Sequence, residues 1–150
     1  MVLRINRIKD HGIVDVYETD GQFVCSFGEQ ILSRPSGITV NDGRVMVVDT
    51  SGVHIFSEQG EPLNRFDLQG SSKQRNIAFH RESQQIVKVG LSFRPSLLKI
   101  EIYTKDGEFV RSASIHLEKQ FSINGITVTT EGRIAVAVLF EDISHQIIII

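Results

Sequence analysis

Side chains able to do chemistry are scattered along this chain rather than grouped. The histidines are His11, His54, His80, His116 and His145, and no two stand at a metal-ligand spacing such as H-x3-H. Asp15, Asp49, Asp67, Asp106 and Asp142 offer carboxylates for acid–base work or calcium, yet none falls in a ligand-like run. Cys25 lies between Val24 and Ser26, and no cation or base beside it in the sequence would make it a thiolate. There is no GxSxG, P-loop or GxGxxG motif. The residues therefore point to no catalytic group, no cofactor and no metal. What remains is a set of cations, Arg34, Lys73, Arg75, Arg94 and Lys119, with Phe93 and Phe121 near them in sequence. Such a set suits phosphate contacts and base stacking, or a protein surface. Glu29, Glu118, Glu141 and Asp142 share the same stretches and dilute the field.

The elements that would position these residues show in the repeats. VYETDGQFVCSF (16–27), IFSEQGEPLNRF (55–66) and IYTKDGEFVRSA (102–113) align without gaps, with starts 39 and 47 residues apart. A second set interleaves: GITV at 37–40 leads to GRVMVV, GITV at 125–128 leads to GRIAVAV, and NIAF at 76–79 leads to QIVKV. The two GITV tetrads are 88 residues apart, twice a period in the low forties, which is the length of a four-stranded propeller blade. Each Asp-Gly or Gln-Gly step supplies the positive φ of a tight hairpin, and β-branched and aromatic residues flank it.

This pattern predicts an all-β chain of 14 strands, lettered a to d within each blade. A first partial blade (1–30) holds Leu3–Ile8, Ile13–Glu18 and Phe23–Phe27. The second (31–70) is complete: Gly37–Val40, Val45–Asp49, Val53–Phe56 and Leu63–Asp67. The third (71–118) has Asn76–His80, Gln85–Gly90, Lys99–Tyr103 and Phe109–Ser114. The last (119–150) has Gly125–Thr129, Arg133–Phe140 and Gln146–Ile150. On these boundaries Arg34, Lys73, Arg75 and Lys119 fall in d–a links and Arg94 in a long b–c link at 91–97. Both kinds of link emerge on one face of a propeller.

Phe27-Gly28, Pro35 through Val40, GRVMVVD at 43–49, VHIF at 53–56 and Gly60 together resemble one NHL repeat. The resemblance runs through most of the chain. The third blade departs from it, with Asn76 for the usual Gly and Gly90 for the strand-b Asp. The likeness is greatest to the C-terminal propellers of TRIM-NHL proteins. It implies a six-bladed toroid whose faces bind RNA stem-loops or protein partners, without the Cys/His arrays that ubiquitin transfer by that architecture needs. It also raises an alternative, a metal-dependent propeller hydrolase or lyase of the lactonase or amidating-lyase type. The expected role is a non-catalytic interaction module whose face carries Arg34, Lys73, Arg75, Phe93, Arg94 and Lys119. For Asp49, the resemblance implies an organiser of the b–c turn.

Composition sets the remaining expectations. The net charge is −2, with 41% hydrophobic residues and one Cys, so there is neither a disulfide framework nor a global attraction for nucleic acid. No apolar run reaches a membrane span, so a reducing, cytoplasmic setting is expected. At about 42 residues per blade, 150 residues fall short of the four to eight blades of a closed ring. The expectation is a fragment of a longer propeller, or a half that associates with another chain through open blade edges.

Overall fold

The structure is a computed structural model that describes residues 1–8, 10–70 and 73–150. Among these residues there is no helix, and 14 strands form four antiparallel meanders. The first sheet holds β1 (Val2–Ile8), β2 (His11–Tyr17) and β3 (Phe23–Ser33). The second holds β4 (Gly37–Asn41), β5 (Arg44–Val48), β6 (Val53–Ser57) and β7 (Pro62–Phe66). The third holds β8 (Lys73–His80), β9 (Gln85–Phe93), β10 (Ser96–Thr104) and β11 (Phe109–His116). The fourth holds β12 (Phe121–Val128), β13 (Ile134–Phe140) and β14 (His145–Ile149). In each sheet the strands pair in chain order and leave both edges open. This is the architecture of propeller blades, two of them complete and two with three strands.

The repeated hairpins have a common physical basis. In the first and third sheets an aromatic residue precedes the Asp-Gly turn and a Phe follows it. Tyr17 meets Phe23 edge-on at 5.7 Å, and Tyr103 meets Phe109 at 5.8 Å. The second sheet has Pro62 near the Phe position. Its turn is held instead by Gly60, whose φ is +85° and whose missing Cβ makes room for Phe27. A Cβ there would stand 2.4 Å from that of Phe27.

The chain divides into two compact units, Met1–Leu68 and Gln69–Ile150. In the first, Val14, Val16, Phe27, Leu32, Val45, Val47 and Phe56 form a core in which the Phe27 and Phe56 rings are 5.1 Å apart. In the second, Val87, Val89, Leu91, Leu98, Ile100 and Ile102 of the third sheet pack on Phe121, Val136 and Val138 of the fourth. Strict alternation explains this: odd positions of β9 and even positions of β10 face one side.

Several strands are longer than the hairpin spacing predicts, because ladder pairing continues past the apolar repeat. β3 runs on to Ser33, where His11 pairs with Ser33 and Gly12 with Leu32 beyond a bulge. The 91–97 stretch is not a long link. Leu91, Ser92 and Phe93 pair with Leu98, Leu97 and Ser96, closing a two-residue turn at Arg94 and a cis Pro95. β8 begins at Lys73, and β12 begins at Phe121 rather than Gly125.

Candidate partner-binding surface

The d–a and b–c connections are shorter than the hairpin spacing predicts, and their charges are partly spent. Lys73 and Arg75 are in β8, not in a link. Lys73, at the strand's exposed start, holds its ammonium 5.5 Å from the centre of the Phe93 ring. Arg75 lies in a bulge between the Lys73–Leu91 and Asn76–Val89 pairs. Its side chain is half-buried with Nε shut off from solvent, so it does not stand with the exposed cations.

Phe93 ends β9, and Arg94 occupies the turn that follows; both are exposed. Lys119 sits in the β11–β12 turn and pairs with Asp142 of the β13–β14 turn. The Asp142 hydrogen bond raises the Lys119 pKa, and the Lys119 and Ser144 bonds hold the Asp142 carboxyl far below the usual range. The Ser96 hydroxyl donates to the Lys119 carbonyl at 2.9 Å, tying the β9–β10 turn to the β11–β12 turn. Lys73, Phe93, Arg94 and Lys119 thus gather at one end of the second unit. Arg34 belongs to the first unit, where its guanidinium grips Asp10 at 2.8 Å.

Between Phe93 and the β13–β14 turn lies a groove of about 320 Å³ lined by Phe93, Phe121, Leu139, Phe140, Glu141 and Ile143, with Gln120 and Ser122 at its side. Phe121, a candidate for stacking, is buried in the core beneath it. Ile143 has φ +66° and is 79% exposed. A β-branched side chain in that region is a genuine outlier costing about 1–3 kcal/mol. The turn is nonetheless well held: the Ile143 amide donates to the Phe140 carbonyl at 3.0 Å, and Asp142 accepts from the Ser144 amide at 3.1 Å.

Two polar clusters are structural. Asp49 is fully buried at the β5–β6 turn. It accepts from the Ser51 and Gly52 amides, the Ser51 hydroxyl, the Ser33 amide at 2.8 Å and His54 Nε2 at 3.0 Å. Burial alone would raise its pKa, but these donors, His54 foremost, hold it well below the carboxylate range. The Ser33 contact also fastens β3 to the second sheet. His54, Ser51 and Asp49 meet through one imidazole nitrogen, Nε2, so they do not form a relay in which the two ring nitrogens serve different partners.

Sequence reasoning missed the second cluster. Lys88 and Glu101 sit opposite each other on β9 and β10, both buried, with Nζ 3.1 Å from Oε1. Tyr103 donates to Glu101 at 2.7 Å and accepts from the Gln69 amide at 2.9 Å. Burial lowers the Lys88 pKa against the pull of Glu101, and burial raises that of Tyr103. The trace was there to find: single charges interrupt the apolar runs IVKVGL and KIEIY. Among the described residues no three His, Cys, Asp or Glu side chains converge on a point that would hold a metal.

No known family profile matches the chain. A 56-residue stretch is 43% identical to protein brain tumor of Drosophila melanogaster, covering 35% of this chain and 5% of that protein. A nidogen/laminin complex contains a chain that superposes with a TM-score of 0.60 at 17% identity, covering 92% of this chain and 57% of that one. A protein of unknown function from Bacteroides caccae superposes with a TM-score of 0.55 at 10% identity, over 91% of this chain and 53% of its own. This chain therefore spans a small part of the Drosophila protein and just over half of each matched structure. The NHL resemblance and the blade architecture agree with both kinds of match.

Proposed function

We propose that these NHL-type propeller blades form a non-catalytic, cytoplasmic interaction module, part of a longer TRIM-NHL-like protein, that binds a protein partner or RNA at the turn end of the second unit. The observation that carries this reading is the gathering of Lys73, Phe93, Arg94 and Lys119 at one end of the second unit, where Phe93 also lines a groove. Short turns on paired strands keep several contacts at fixed separations, which is what a recognition surface needs. A neighbour of like fold was solved as a nidogen/laminin complex, which supports a binding role. The open edges of the sheets, β14 above all, supply a second contact through which copies of the chain associate.

A photo-crosslinking residue placed at Phe93 tests the module, with exposed Lys105 in the β10–β11 turn, at the opposite end of the same sheet, as control. In cells producing the protein, position 93 should yield a discrete crosslinked species and position 105 none. Protease or nuclease sensitivity then identifies it as protein or RNA. Equal labelling from both positions would refute the assignment of this face.

A further inference from the structure

The groove at the end of the second unit joins three features that the fold itself does not require. Ile143 is both the most exposed of the large apolar side chains and one held in a disfavoured backbone conformation. It lines the groove together with Phe93, itself 38% exposed, Leu139 and Phe140. Charges of opposite sign flank it: Lys73 lies over the Phe93 ring and Arg94 follows Phe93 in the chain, while Glu141 is in the lining itself. Backbone strain coinciding with apolar exposure is a ground for inferring a binding site.

We propose that this groove docks an extended protein segment, which buries one aliphatic or aromatic side chain between Phe93, Phe140 and Ile143 and sets a carboxylate against Lys73 and Arg94. A basic residue of the same segment falls beside Glu141. The inference rests on the interaction-module reading and narrows it to a protein partner. RNA affinity grows with the number of phosphates neutralised. Here Lys119 is already paired with Asp142, Arg75 is half-buried, and Glu118, Glu141 and Asp142 stand in the flanking turns. An apolar anchor with one charge at each end fits that surface better than a polyanion does.

Random peptides displayed on phage, selected on the immobilised protein and remade synthetically, provide the probe. The selected peptides should share an apolar residue flanked by Asp or Glu. Ile143→Asn relieves the backbone strain while removing the anchor, so it should weaken these peptides by about tenfold or more and raise the thermal midpoint. Arg94→Glu should weaken them less, and only at low salt. Peptides that bind Ile143→Asn as tightly as the native protein would overturn the proposal, as would a lowered midpoint in that variant. If no peptide is selected but single-stranded oligouridylate binds in an Arg94-dependent manner, the protein-segment inference fails and the module reading stands. If neither binds, both fail.

Discussion

Asp49 shows how one residue turns a loop into a hinge-pin. Its two oxygens collect amides from its own turn and from Ser33 at the end of β3, so one carboxylate closes a turn and staples two sheets. Asp49→Asn should cost about 2 kcal/mol at neutral pH, because donors aimed at a charge are left facing an amide. The sign of the pH dependence follows from a folded-state pKa lying below the ordinary 3.8. The stabilisation is complete above that value and fades as pH falls through the folded-state pKa. In urea titrations the gap between native and variant should therefore narrow as pH falls below about pH 4. A gap that widens below about pH 4 would contradict this account. The turn-organising role was legible at Asp49 from its place at the end of a strand. The Ser33 contact was not, since it spans 16 residues and depends on β3 running past Phe27. Arg75 is the converse case: a cation expected in a link, which lies instead in a bulge of β8.

Among the elements, hairpin turns were the most readable, because Asp-Gly and Gln-Gly steps act locally. Their energetic weight was not readable. Gly43 and Gly60 both have positive φ, +71° and +85°, yet a Cβ on Gly43 meets nothing within 4 Å whereas one on Gly60 collides with Phe27. Gly43→Ala should cost about 1 kcal/mol, the backbone term alone. Gly60→Ala should cost about 3 kcal/mol, as Phe27 is displaced from the Phe56 ring and the core around it. Equal thermal shifts for the two variants would show that the Phe27 contact is not limiting. The same local-versus-distant division explains the β9–β10 hairpin. Arg94-Pro95 reads as part of a loop, but pairing of Leu91 with Leu98 extends both strands until two residues remain.

At the scale of the whole molecule the open sheet edges matter most. The mutual Ile134–Ile150 backbone bonds fix the alternation in the fourth sheet. The amides and carbonyls of Ile147 and Ile149 therefore point away from β13, and their side chains are 68% and 59% exposed. This unblunted apolar edge contrasts with β7, which carries Pro62 and Arg65. The sedimentation mass of the native chain should grow with concentration, and replacing Ile147 and Ile149 together by Lys should abolish that growth while leaving the melting profile of the core nearly unchanged. An unaltered mass distribution would assign self-association to another surface.

Strand number, blade period and the Asp-Gly and Gln-Gly hairpins followed from the sequence alone. They depend on contacts between neighbours, where alternation and turn residues leave little choice. Which cations face solvent, which charge pairs are buried and where a strained Ile meets an aromatic groove were settled only by the tertiary structure. Each depends on bulges and ladder extensions that turn a side chain to the other face by one residue, and on partners many residues distant, at no cost visible in the local pattern.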